Sequence, residues 1–173
     1  MTGHAAAKRE GAAMEERAYL VTRRLFVGLM ATAALGAPLS VASADDATVV
    51  VHKDPNCGCC SGWVQHLRDA GFAVRVREAA DLKTVRARLG IPTALAACHT
   101  AEVAGYMLEG HVPAEALRRL LSARPKAKGL AVPGMPVGSP GMEDGQPQHF
   151  TVMLFGPDGS RPFMRFIGKK AVG

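Results

Sequence analysis

Cys57-Gly58-Cys59-Cys60 packs three thiols into four residues, and a fourth stands at Cys98, directly before His99. The thiolate form of cysteine is both a nucleophile and a metal ligand, so such a cluster supports two chemistries. Cys57 and Cys60 alone make a C-x-x-C. Where that pair enters a helix, free backbone N–H groups and the helix dipole favour negative charge on the first sulfur. This is the arrangement of thiol–disulfide exchange, with Cys57 and Cys60 as the redox pair. The third thiol argues for something more, because a dithiol needs two sulfurs and an extra neighbour invites wrong pairings. Dense soft donors select Cu(I), zinc or iron–sulfur clusters. Iron–sulfur ligands ordinarily leave a gap of about two residues. Zinc can take a tetrahedron from Cys57, Cys60, Cys98 and His99. Adjacent Cys59 and Cys60 are awkward on one zinc ion; they suit thiolates that bridge several Cu(I) ions. An even cysteine count often means a disulfide framework. Adjacent cysteines rarely pair with each other, however, so the cluster reads as a site.

The elements that position these residues follow from patterning. Thr48 to His52 is a β-branched run expected as a buried strand, and Asp54-Pro55-Asn56 is a turn. Ser61 to Ala70 has helical spacing, with Trp63, Val64, Leu67 and Ala70 on one side and Gly71 at its end. Ala73 to Arg77 alternates apolar and basic residues and reads as a strand exposed on one face. Asp81 caps another helix, with Leu82, Val85 and Leu89 inward and Gly90 closing it. The order is β–α–β, which puts the cysteines in the loop at the carboxyl end of a strand, where sites in α/β sheets are found.

Pro92 to Ala97 reads as a short helical turn. Thr100–Val103 and Tyr106–Glu109 flank Ala104-Gly105 as a β-hairpin. That hairpin places Cys98-His99-Thr100, rather than Ile91-Pro92-Thr93, in the loop facing the cysteines. Cys98 then becomes a fourth sulfur at the site. Pro113 opens a further helix with Ala116, Leu117, Leu120 and Leu121 as its apolar stripe. From Gly129 to Gln148 about half the positions are Pro or Gly, which excludes regular helix and central strand. The segment is expected to be a linker or a shaped loop carrying Met135 and Met142. Phe150 to Phe155 is a strand, Gly156-Pro157-Asp158-Gly159 a turn, and Pro162 to Ile167 an edge strand. The fold class is α/β.

Residues 1–44 carry a different signal. Arg23-Arg24 precede an apolar run from Leu25 to about Leu39, and Ala42-Ser43-Ala44 offers small residues before Asp45. This is the pattern of an export signal, twin-arginine-like, cleaved near Ala44. The run is too short for a comfortable membrane anchor, and Pro38 interrupts it. Met14 offers a second start. The expected layout is a signal over 1–44 and one domain over 45–173. Five of the 21 Lys/Arg and three of the 15 Asp/Glu lie before Asp45, leaving a net charge of +4 on the rest. The basic residues are scattered without interleaved aromatics, so nucleic acid is excluded as a partner. Arg118-Arg119 reads as a helix surface and Lys169-Lys170 as a solvated tail.

VHKDPNCGCCSGWVQHL, CHTAEVAGYMLEGHVP and GLAVPGMPVGSPGME together resemble the CopG-type family of periplasmic copper-resistance proteins. The resemblance covers the chain from about Val49 to Phe155. It implies a thioredoxin-like fold, Cu(I) held by Cys57, Cys59, Cys60 and Cys98, and a role in copper tolerance outside the cytoplasm. Its implied partners are copper ions and other periplasmic copper-resistance proteins. Of the remaining candidates, His99 is a ligand, a supporting donor or a loop hydrogen bonder. Met135 and Met142 are either Cu(I) thioethers or, the favoured reading, apolar pins for their loop. His52, His66, His111 and His149 read as surface or loop histidines. Trp63 reads as core behind the cysteine helix, and Asp54 as a turn former.

Overall fold

The structure is a computed structural model that describes residues 47–173; the export segment read at 1–44 lies outside the described residues. Strand β1 (Val49–Lys53) forms from the β-branched run, with Val49 and Val51 fully buried. Helix α1 (Gly58–Asp69) follows and buries Cys60, Trp63, Val64 and Leu67. β2 (Val74–Glu78) then pairs parallel with β1, Val51 opposite Val76. Helix α2 (Leu82–Leu89) starts at Asp81, whose side chain accepts from the Thr84 N–H at 3.1 Å. It ends at Gly90, whose φ of 66° suits the left-handed cap that glycine takes without strain.

β3 (His99–Val103) and β4 (Tyr106–Glu109) form the hairpin, turning through Ala104 and Gly105 at φ 48° and 86°. Positive φ at both central residues is the turn that matches strand twist. α3 (Ala114–Ala123) buries Ala116, Leu117, Leu120 and Leu121. β5 (Gly129–Ala131), β6 (His149–Gly156), β7 (Gly159–Ile167) and β8 (Lys170–Ala171) complete a sheet in the order β2-β1-β3-β4-β5-β6-β7-β8. The fold is mixed α/β, as expected. One core contains Trp63, Leu67, Leu117, Leu120 and Val49; a smaller cluster gathers Ile91, Leu95, Met107, Ala131 and Phe155. None of the three helices among the described residues is long and apolar enough to cross a membrane.

Several expectations need correction. Gly129-Leu130-Ala131 is a central strand, parallel to β4 and antiparallel to β6. Composition over twenty residues hid a short apolar stretch before the first proline. β2 is exposed on both faces, because it is the sheet edge and only Val74 packs on the core. Leu82, Val85 and Leu89 are only half-buried. β7 is not the edge, since β8 pairs with its end, Ile167 opposite Lys170. Lys169-Lys170 is therefore not a free tail: Lys170 is in β8, and Lys169 Nζ lies 3.1 Å from Glu143. Pro162 is accommodated because the register shifts there, Val152 facing Met164 and Met153 facing Pro162. Arg118 and Arg119 are exposed on α3, as read, and lie over the rings of Phe72 and Phe163.

Candidate metal centre

Cys57 is the N-cap of α1, in extended conformation, and its sulfur accepts from the Cys60 N–H at 3.3 Å. The turn before it is built by Asp54, which accepts from the Asn56 N–H at 2.8 Å. The buried Lys53 ammonium adds bonds to the Asp54 and Pro55 carbonyls at 2.8 and 3.2 Å. The first turn of α1 then carries Cys59 and Cys60. Cys57 and Cys60 are bonded as a disulfide, with Cα atoms 5.4 Å apart. Cys59 and Cys98 are free thiols.

Cys98 arrives from the hairpin side, immediately before β3, as the hairpin reading expected. Its sulfur lies 3.9 Å from that of Cys59, which is 3.5 Å from that of Cys57. The Cys60 sulfur is 3.7 Å from the Cys98 carbonyl. All four sulfurs lie within 4.8 Å of one another. Cys60 is fully buried; Cys57, Cys59 and Cys98 are half-buried, so small reagents and ions can reach them.

A second group shares Cys98. Its sulfur is 2.9 Å from His111 Nε2 and 3.4 Å from His99 Nδ1. His111 Nδ1 is 2.7 Å from the Pro140 carbonyl, which can only accept, so Nδ1 carries the proton and Nε2 presents its lone pair to Cys98. A ring nitrogen held this way by a backbone carbonyl is how metal-ligating histidines are oriented. Burial, and after it the neighbouring Cys59, push the Cys98 thiol up to about 12. Cys98 therefore keeps its proton and donates toward His111.

The surface reading of His111 is wrong: it is fully buried beside the cysteines. So is the surface reading of His52, which is buried against Glu102 at 2.9 Å. His66 is half-buried and accepts from the Ala114 N–H at 3.0 Å, capping α3 where Pro113 offers no side-chain acceptor. His149 is exposed, as read. The signal for His111 was in the hairpin. Thr100 pairs with Glu109, and Gly110 donates to the His99 carbonyl at 3.0 Å. One step further along the same register sets His111 opposite Cys98.

Two further groups secure the site. His99 is fully buried, its ring 4.3 Å from that of Trp63 and 5.0 Å from that of His111. Trp63 is core, as expected, with its indole N–H on the Val112 carbonyl at 2.8 Å. The Pro/Gly segment is a shaped loop that seats on α1. A Cβ at Gly141 would come within 2.4 Å of the Cys59 carbonyl and 2.6 Å of the Trp63 nitrogen, so glycine is required for that approach. Met135 does not pin this loop, being 55% exposed.

Burial holds His99 well below the ordinary histidine pKa, with His111 adding to it; burial also lowers His111 and His66. On acidification the unfolded chain takes up these protons first, so stability is full above the unfolded histidine pKa and falls as pH drops through it. Urea unfolding of the metal-free protein is expected to weaken below about pH 6.5, by up to about 1.4 kcal/mol per pH unit from His99 alone. His99→Phe should flatten that slope; an unchanged slope would remove His99 as its source.

The family model described as protein of unknown function, DUF411, matches residues 95–142, from the turn before Cys98 into the seated loop. Two solved structures are similar over nearly their whole length. Copper resistance protein CopG, form 1, is 41% identical, with 70% of this chain and 98% of that chain covered and a TM-score of 0.66. Form 2 is also 41% identical, with 69% and 98% covered and a TM-score of 0.65. No curated protein sequence matches the chain.

Proposed function

The chain belongs to the CopG family of copper resistance proteins, and from that premise we propose that it holds Cu(I) through the thiolates of Cys57, Cys59, Cys60 and Cys98 in an exported copper-tolerance domain. The observation that carries this reading is the four sulfurs within 4.8 Å of one another, drawn from two elements distant in sequence. Each half-buried thiolate can bridge ions, so the cluster suits more than one Cu(I). His111 Nε2 adds a nitrogen donor on the Cys98 side. Zinc is the less favoured metal, since the soft sulfur set exceeds what one tetrahedral ion uses. Export follows the twin-arginine-like pattern at 1–44, with the domain over 45–173 in the periplasm and copper ions, together with other periplasmic copper-resistance proteins, as its partners.

The strand order at the start of the sheet supports a second reading. The order β2-β1-β3-β4, with β1 and β2 parallel and β3 antiparallel to both its neighbours, carries the C-x-x-C at the start of α1. The Cys57–Cys60 disulfide there favours thiol–disulfide or copper oxidoreduction by that pair. The readings meet in one requirement: two of the four donors become available only when that disulfide gains two electrons and two protons.

The test is copper per chain, measured on protein starting at Asp45, fully reduced and loaded anaerobically. Two or more ions per chain, reduced in Cys59→Ser, is the expected result. One ion or none, with Cys59→Ser indistinguishable from the parent, would overturn the cluster and leave the Cys57–Cys60 pair as the working chemistry.

A further inference from the structure

Cys57 and Cys60 are already bonded to each other, yet the site retains two thiols that are not spectators. Cys59 and Cys98 are both free, both half-buried, and their sulfurs are in contact at 3.9 Å. They lie on separate elements, the first turn of α1 and the residue before β3. A bond between them therefore avoids the geometric difficulty of joining adjacent cysteines. Both positions are held from behind. Gly141 and Gly62 meet on the α1 backbone, and the Ala97 N–H is bonded to the buried Glu109 carboxylate at 2.6 Å. We propose that Cys59 and Cys98 are a second redox pair, closing to a disulfide while Cys57–Cys60 stays closed, so that the site has a fully oxidised state with two disulfides and no thiols.

The chemistry balances with a low-molecular-weight disulfide as oxidant. One thiol loses its proton and displaces one thiolate of the reagent, forming a mixed disulfide. The second thiol, in contact with that sulfur, displaces the other thiolate. One S–S bond of the reagent is broken and one is formed in the protein; the two protons leave with two molecules of reagent thiol. Closing the pair brings two sulfurs already 3.9 Å apart to bonding distance. The site then passes through three states, with four, two and no thiols. It can accept or deliver electrons in two separate pairs, which the Cys57–Cys60 reading alone does not provide.

The experiment uses the metal-free protein, so its outcome is independent of copper loading. The parent chain and Cys57→Ser/Cys60→Ser are titrated with oxidised glutathione at rising ratios to reduced glutathione. Thiols are counted, and tryptic peptides are mapped without reduction. Serine is a good N-cap, so the double variant keeps the helix start. The expected result is a parent with no remaining thiols at the oxidising end, in a second transition distinct from the first. The double variant should show a monomeric cross-link between the peptide carrying Cys59 and that carrying Cys98. Two persistent thiols in the oxidised parent, or a double variant that gives only glutathione adducts or intermolecular dimers, would overturn the proposal. Cys59→Ser separates the pairs: it should retain the first transition and lose the second.

Discussion

Glu109→Ala is expected to lower the stability of the protein by about 3–5 kcal/mol. The Glu109 side chain is completely buried in β4, and its Oε1 accepts from Arg86 Nε at 2.7 Å and from the Ala97 N–H at 2.6 Å. Arg86 also donates to the Ala97 carbonyl. The two side chains thus hold both the N–H and the carbonyl of Ala97, the residue that leads into Cys98. Burial pushes the Glu109 carboxyl up, against the Ala97 N–H and the Arg86 guanidinium that hold it down. Removing the carboxylate leaves a mostly buried guanidinium and a backbone N–H without their acceptor, which costs more than the pair itself contributed. Glu109→Gln keeps an acceptor and should cost roughly 1–3 kcal/mol. Denaturant unfolding of the metal-free chains measures both. A Glu109→Ala loss below about 1 kcal/mol would mean that the Arg86 contact is solvent-screened and contributes little. Copper affinity of the reduced Gln variant should fall by about 10–100-fold, as for other groups that orient a ligand.

Gly129→Ala is the second large effect. A Cβ at Gly129 would stand 1.8 Å from the Met107 carbonyl oxygen and 2.7 Å from its carbon. These are backbone atoms of the adjoining strand, so the sheet must separate where β5 joins β4 to β6. A loss above about 4 kcal/mol is expected, beyond the ordinary range for one methyl group. Gly134→Ala is the matched control. Gly134 has φ 73° with nothing within 4 Å of its Cβ position. There the cost should be only the left-handed backbone term, about 1–2 kcal/mol. Thermal unfolding of the two variants side by side distinguishes a steric requirement from a conformational one; equal losses would refute the clash.

The legible parts of this fold were those that local rules control. A β-branched run, a C-cap glycine and a two-residue turn place β1, the end of α1 and the β3–β4 hairpin close to where they were expected. Bringing Cys98 to the other cysteines followed from choosing the hairpin register over the proline that precedes it. The same register contained His111, but a lone histidine carries no local signal. Its role appears only when pairing is continued past the end of the strand. Gly129-Leu130-Ala131 was lost for a different reason. Three residues are too short for periodicity, and their place at the centre of the sheet comes from tertiary packing on Met107 and Leu154. Nor does any local rule link Arg86 to Glu109, because the two meet across the face of the sheet. The seating of Gly141 on α1 is equally non-local.

Trp63 is the one tryptophan in the chain, and its ring rests against His99, next to Cys98. The site thereby contains its own fluorophore. Indole emission is quenched by nearby thiols, protonated imidazoles and bound copper, each by a different route. Histidine protonation, the proposed disulfide closure and the proposed metal binding would all take place within a few side chains of that ring. With excitation confined to the indole band, where tyrosine does not absorb, steady-state and lifetime fluorescence of the unlabelled protein can therefore follow these events in real time from a single residue.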